Sequence, residues 1–450
     1  MTKYLTYLFL IVFSFCAAEE TIYVELETES PLLPLYLSPL YDQTSGFDES
    51  YLEKLRQILA YDLNFNGMTY VVDATKGQGA LLQKVPFEEK GDRADLEKLK
   101  AYFVVKVRVK NKKLGARLIV LNSYAMKEVD GLSLTGELSK DRRQMHALAD
   151  LIHKQLFGTE GVASTHILYT KKIKNQKDWV SEVYEADWDG ANARAVTQGA
   201  GYAVTPAYVP PKAGFTVGAF FYVSYKNGQP KIFYSSLNQF NPIRFSLLKG
   251  NQLMPALSRQ RDKVAFISDV TGNPDLFLQP IKPDGSPNGK PSQIFATHKA
   301  TQGTPTFSPD GSKVAFVSNK DGSPRVYMMP IPAPGASLKN VKAELISRHN
   351  KESTAPAWSP DGKKIAYTAM TDGTRQIWIY DLDKRKERQL TRGPGNKENP
   401  SWAPDSLHLT FNSMNKLVAD IYILNLNQPQ TLKITNGEGD KRFPSWEPRT

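Results

Sequence analysis

One short phrase recurs six times in this chain, and it limits the architecture more than any other feature. From Ala355 it reads Ala-Pro-Ala-Trp-Ser-Pro-Asp-Gly-Lys-Lys-Ile-Ala-Tyr. From Thr304 it returns as Thr-Pro-Thr-Phe-Ser-Pro-Asp-Gly-Ser-Lys-Val-Ala-Phe, and from Asn399 as Asn-Pro-Ser-Trp-Ala-Pro-Asp-Ser. Weaker copies carry Pro206 and Pro255, and Phe-Pro-Ser-Trp-Glu-Pro occupies 443–448. The six leading prolines, 206, 255, 305, 356, 400 and 444, are spaced by 49, 50, 51, 44 and 44 residues. A repeat of about 40–50 residues is the size of a four-stranded propeller blade.

The unit at Pro356 shows how a blade forms. Residues 356–358 read as a short apolar strand. Ser359-Pro360-Asp361-Gly362 is a tight turn, because proline presets φ and glycine accepts a positive φ. Residues 364–368 form a second strand, 371–373 turn, and 376–380 alternate at period two as a third. An outer turn over 381–386 leads to a fourth strand over 388–391. Trp358, Trp402 and Trp446 share one repeat position and are expected to fill the space between blades. The Asp-Gly pairs at 310, 321, 361 and 372 are expected to be turn chemistry rather than calcium ligands.

The sixth copy supplies only an inner strand. Its outer strands are expected from the other end of the array: 166–170, 180–186 and 193–197, with an outer turn over 187–190. A blade stitched from both ends leaves no free sheet edge, which would otherwise invite aggregation. Strands within a blade alternate in direction. The loops approaching the six inner strands (201–205, 251–254, 298–304, 348–355, 396–399 and 439–443) therefore share one face. They are polar and uneven in length, as binding loops on a rigid scaffold usually are.

Residues 1–18 read as a cleaved signal peptide, with Lys3, an apolar stretch over 7–15, and Cys16-Ala17-Ala18 at the cleavage site. Acylation of Cys16 is the weaker alternative, since bulky Phe15 precedes it. Cleavage removes the only cysteine, so thiol and disulfide chemistry drop out. Residues 19–160 have the texture of a small α/β domain. Alternation over 21–27 predicts a strand. Leu52, Leu55, Leu59 and Leu63 share one face of a helix over 47–63 capped by Asp48. Strands are predicted over 68–72, 102–110 and 116–122, and a helix over 139–156. Residues 30–45, rich in proline and leucine, read as irregular, and 159–165 as a linker. The propeller is expected over 161–450. The fold class expected is thus two-domain, α+β followed by all-β, with a six-bladed β-propeller and a composite closing blade.

The chain carries 57 basic and 46 acidic residues, a net charge of +11. Export, and the scatter of the basic residues over both domains, argue against nucleic acid and for a solvated basic surface that steers acidic partners. The histidines are 146, 153, 166, 298, 349 and 408. No pair has metal-ligand spacing with supporting acids. His146 and His153 read as surface or packing residues, and His298 and His349 fall in successive approach loops. There is no Gly-x-Ser-x-Gly elbow, no phosphate-binding glycine loop and no His-Glu-x-x-His. No catalytic residue, cofactor or metal is assigned.

The Pro-x-[Trp/Phe]-Ser-Pro-Asp-Gly repeats at 305 and 356, the six prolines, the split blade and the leading α/β domain resemble the TolB family of periplasmic propeller proteins. The segment 136–158, then Gly161 and His166-Ile167-Leu168-Tyr169, resembles the junction in that family. Here the copies at Pro206 and Pro255 depart from the Ser-Pro-Asp-Gly turn, and Ser406 replaces its glycine. The resemblance implies a monomeric, non-enzymatic periplasmic adaptor of the Tol–Pal system, peripheral to the membrane. It implies roles in envelope integrity, cell division and protein import. The implied partners are a Pal-like outer-membrane lipoprotein and a TolA-like inner-membrane-anchored protein. The lipoprotein would dock on the approach-loop face, at His298, Gln302, His349, Lys351, Asn399 and Arg442. The TolA-like partner would pair with the mature N-terminal segment, at Glu19, Thr21, Ile22 and Val24. An alternating strand at a free terminus can be added to another protein's sheet edge, or can be the first strand of its own domain. The competing class is a secreted propeller enzyme, peptidase-like or lactonase-like, using His298, His349 and Glu352 at the channel mouth.

Overall fold

The computed structural model describes residues 22–25, 30–42, 44–72, 85–175, 178–212, 218–338, 341–415 and 417–449. The signal peptide, Glu19 and Thr21 lie outside the described residues. Six four-stranded antiparallel sheets form the propeller. The blade at Pro356 runs Ser353–Trp358, Lys364–Thr371, Thr374–Asp381 and Lys386–Gln389, close to the expected layout. The sixth blade is composite: Asp440–Trp446 pairs with His166–Asn175, followed by Asp178–Asp187 and Arg194–Ala195.

The six prolines do more than open a strand. The inner strands begin three or four residues before the proline, and the register slips at the proline itself. The slips fall between Val204 and Ala207, Leu253 and Ala256, Gly303 and Thr306, Thr354 and Ala357, Glu398 and Ser401, and Arg442 and Ser445. Proline has no N–H for the ladder, so the chain steps over it in a bulge. The residue before each proline takes a positive φ, from 31° at Thr304 to 57° at Asn399. Past the bulge, the strands bond across blades. Trp446 N donates to Ser401 Oγ at 3.0 Å, and Trp402 Nε1 to the Ala357 carbonyl at 3.0 Å.

The Ser-Pro-Asp-Gly turns are built as turn chemistry. Ser359 Oγ donates to Asp361 at 2.5 Å and accepts the Lys364 N–H at 2.9 Å. In the preceding blade the Ser308 and Ser312 hydroxyls hold the Asp310 carboxyl down at about 2.

The N-terminal unit is a five-stranded sheet. Leu33–Asp42 is a central strand, parallel to both Thr69–Val71 and Phe103–Lys110; Lys113–Val120 and Ala125–Ser133 complete the order. This overturns the irregular reading of 30–45. Pro34 sits near the strand's start and Pro39 at a register slip between Leu37 and Leu40, positions where a missing N–H does no harm. The first helix, Glu49–Phe65, is capped by Asp48, and the closing helix, Leu138–Phe157, ends on left-handed Gly158. Both pack on one face of the sheet, in a core continuous with Ile167, Trp188, Ile421 and Trp446 of the propeller. The expected linker is part of that core: Val162 and Ala163 are buried, and Asp150 accepts the Ala163 and Ser164 N–H groups.

A buried histidine ties the two units. His408 Nδ1 lies 2.6 Å from Asp405, and its Nε2 lies 2.8 Å from the carbonyl of Phe65, the last residue of the first helix. Burial alone would lower the His408 pKa; the Asp405 charge and hydrogen bond outweigh it and raise it above 6.5. Burial pushes Asp405 up, and His408 overcomes that, holding it below 3.8. A raised histidine stabilises fully below its unfolded pKa and loses that stability as pH climbs through the folded one. A depressed aspartate stabilises above its unfolded pKa and fails on acidification. The pair is therefore strongest between the ordinary values of 3.8 and 6.5. Thermal unfolding followed across pH should show stability falling on the alkaline side, and His408→Gln should flatten that limb.

Candidate functional site

The first described residues do not join their own domain's sheet. Tyr23–Val24 pairs antiparallel with Thr391–Arg392, on the crossing that leads into the fifth blade's inner strand. Glu25 N donates to the Leu390 carbonyl at 2.8 Å, and Arg388 Nη1 to the Glu25 carbonyl at 3.2 Å. Ile22 and Val24 point inward and are buried among Ile377, Leu390, Trp402, Phe411 and Leu424, between blades four and five. Tyr23, the residue between them, is 62% exposed. The alternation read from the sequence is real, but its apolar side faces the propeller.

Docking is finely balanced. Burying two β-branched or comparable side chains contributes about 1.5–3 kcal/mol each. Ordering four backbone residues costs about 1–2 kcal/mol each. The two sums nearly cancel, leaving the few backbone hydrogen bonds, at about 1 kcal/mol net apiece, to hold the strand. Such a strand can be displaced.

Beside the strand lies a cavity of about 850 Å³, lined by Glu25, Arg392, His349, Lys351, Glu352 and Trp378, among others. The N-terminal strand and the approach loop of the fourth blade thus share one surface. His349 is exposed and stacks on Trp378, with ring centroids 4.8 Å apart. Lys351 and His298 are also exposed. Asn399 and Arg442 are half-buried. Asn399 Nδ2 donates to Asn412 at 2.8 Å, and Arg442 pairs with Asp440 at 2.8 Å. Gln302 is different: it is 5% exposed, and with its amide oriented to donate it reaches the Pro274 and Ala300 carbonyls at 2.7 and 3.2 Å.

Gln302 belongs to a set that the sequence reading missed. Three residues before each of four prolines stands a buried donor that braces its own approach loop: Gln252, Gln302, Lys397 and Lys441. Gln252 donates to the Leu248 carbonyl at 2.9 Å, and Lys397 Nζ to Gly393 at 2.9 Å and Gly395 at 3.1 Å. The signal was present as a fixed offset from the prolines. A second missed feature is a chain of ion pairs across three blades. Glu352 lies 3.6 Å from Arg375, Arg375 lies 2.5 Å from Glu398, and Arg442 reaches Glu398 at 4.0 Å. Glu352 is thus engaged by a guanidinium. Among the described residues no carboxylate hydrogen-bonds the His349 ring, and the triad that the enzyme alternative needs is not assembled by these groups.

Residues 153–341 and 336–450 match the family model described as the TolB beta propeller domain. The chain belongs to the TolB family. A TolB homolog from Protochlamydia amoebophila (strain UWE25) is 52% identical over 384 residues, 85% of this chain and 82% of that protein. One from Chlamydia pneumoniae is 35% identical over 395 residues, 86% of this chain and 84% of that protein. The crystal structure of TolB from Acinetobacter baumannii covers 96% of this chain and 100% of its own, with a TM-score of 0.72 at 18% identity. At that identity the match speaks for a common TolB fold, from the leading α/β unit to the composite blade. No helix among the described residues is long and apolar enough to cross a membrane.

The hold on the N-terminal strand should depend on its buried side chains. Val24→Asp should release it, seen as faster hydrogen exchange at the Glu25 amide and as new proteolysis near residue 24. Arg392→Ala should leave protection nearly unchanged. The Arg392–Glu25 pair, at 2.9 Å, is 57% and 52% exposed, and such pairs contribute about 0–1 kcal/mol.

Proposed function

We propose that this chain is a non-enzymatic periplasmic adaptor of the Tol–Pal envelope system, serving outer-membrane integrity, cell division and protein import. A Pal-like outer-membrane lipoprotein docks on the approach-loop face, where His298, His349 and Lys351 are exposed and Asn399 and Arg442 are half-buried. The mature N-terminal segment, residues 19–26, is the second contact, added as a strand to a TolA-like, inner-membrane-anchored protein. Family membership and the weakly held terminal strand support this reading.

The observation that carries it is the shared cavity. Glu25 of the docked strand and His349 and Lys351 of the approach loop line the same space. A partner that fills this space can change how tightly residues 22–25 are held. Linkage then makes the effect reciprocal: a partner that captures the strand changes affinity at the loops by the same factor. The ion-pair chain from Glu352 to Arg442 gives the loop face a fixed frame against which the strand moves.

Deleting residues 19–26 should abolish binding to the TolA-like partner while lipoprotein binding is largely retained. Equal loss of both in a folded variant would contradict the two-surface reading. Lys351→Glu together with His349→Ala should reverse the pattern, weakening the lipoprotein contact first. Both are measured by titration with purified partner domains.

A further inference from the structure

A second site is buried between the two domains. The outer turn of the composite blade inserts Trp188 against the first helix, where its Nε1 donates to Asp62 Oδ1 at 2.9 Å. On either side of the tryptophan stand Asp187 and Asp189. The closing helix contributes His146, which is 2% exposed. One ligand atom each from His146, Asp187 and Asp189 lie within 4.8 Å of one another.

The histidine is oriented in the way a metal ligand is. Asp62 Oδ2 lies 2.7 Å from His146 Nδ1, and this carboxylate places the ring proton on Nδ1. In the neutral ring the lone pair is then on Nε2. That nitrogen is buried and has no hydrogen-bond partner, and it faces Asp189 Oδ2 at 3.8 Å. A carboxylate holding the far nitrogen of a ligating imidazole is the usual outer shell of a metal site. The two aspartates are braced as well. Asp187 Oδ2 accepts from Asn192 Nδ2 at 2.7 Å, and Asp189 Oδ1 accepts the Ala191 N–H at 3.1 Å.

Charge points the same way. Three carboxylates, Asp62, Asp187 and Asp189, converge here with one guanidinium, Arg142, which bonds Asp189. With the imidazole neutral, three carboxylates against one guanidinium leave an excess of negative charge that favours a further cation. His166 Nε2, 3.7 Å from Asp187 Oδ1, lies at the edge of the group and is bonded to Glu447 through Nδ1.

The geometry points to a divalent-metal site of the zinc type, with His146 Nε2, Asp187 and Asp189 as ligands and Asp62 as the outer-shell carboxylate. One imidazole and two carboxylates suit Zn²⁺, with water completing the shell. Zinc ligands stand about 2.0–2.2 Å from the metal, so its tetrahedral edges are about 3.4 Å, within rotamer-scale adjustment of the atoms found here. Arg142 competes for Asp189. Its Nε is without a hydrogen-bond partner, and its side chain is 19% exposed, so it can pivot toward solvent when the metal enters. The metal would pin the closing helix to the composite blade and so clamp the α/β domain onto the propeller.

The test uses the full mature chain, stripped with chelator and titrated with Zn²⁺ against a chromophoric competitor, with Co²⁺ as spectroscopic probe. Expected is one equivalent of Zn²⁺, ligand-field bands with Co²⁺, and a rise in thermal midpoint. Asp62→Asn should weaken binding by about 10–100-fold, and His146→Gln by more. Arg142→Gln, which removes the competitor, should tighten binding. No stoichiometric uptake by the native chain would overturn it, as would undiminished uptake in folded His146→Gln or weaker binding in Arg142→Gln. Those results would leave a network of ion pairs in its place.

Discussion

The pairing of Asp440–Trp446 with His166–Asn175 is the constraint on which the rest of the molecule depends. It joins distant parts of the chain: the Thr170 hydroxyl donates to the carbonyl of Arg442, 272 positions on. Loop-closure entropy grows only by about 0.6 kcal/mol per doubling of length, so this distance is a modest burden. What it removes is larger: two unpaired edges, one at each end of the array. It also buries Trp446, whose Nε1 donates to Thr165 Oγ1 at 2.8 Å, inside the core shared with the α/β domain. The same blade carries the turn with Trp188. Ring closure and domain docking therefore draw on the same residues.

Around that ring the structure separates two energy scales. The inner strands are braced by bulges, cross-blade hydrogen bonds and buried donors, and the approach loops inherit this rigidity. The N-terminal strand has two buried side chains and a handful of backbone bonds set against its ordering entropy. A rigid face thus stands beside a segment held by far fewer contacts, which is the arrangement the proposed two-contact adaptor would use.

Much of the fold was legible in the sequence because the repeat is written in residues with strong local preferences. Ser359-Pro360-Asp361-Gly362 can do little but turn, and the six prolines mark six blades. Asp48 announces its helix. Legibility failed where a local preference was overruled or a partner was distant. Pro34 and Pro39 suggested irregular chain, yet both fit a central strand because one sits near its start and the other at a slip. Gln302, which the resemblance placed on the docking face, is 5% exposed, and its amide, oriented to donate, reaches carbonyls of its own loop and of the preceding turn. His146 looked ordinary because the acids that surround it come from Asp62, on another helix, and from Asp187 and Asp189, in another domain.

The sequence by itself determined the number of blades and the turns, since each follows from short-range backbone chemistry repeated at a fixed period, and the stitched closure, since the strands missing from the last repeat stand ahead of the first. Only the tertiary structure decided where the terminal strand lies, which polar loop residues are free, and that three aspartates meet one histidine between the domains. Those outcomes depend on which surfaces come together in space, and a buried group's partners are chosen by packing rather than by spacing along the chain.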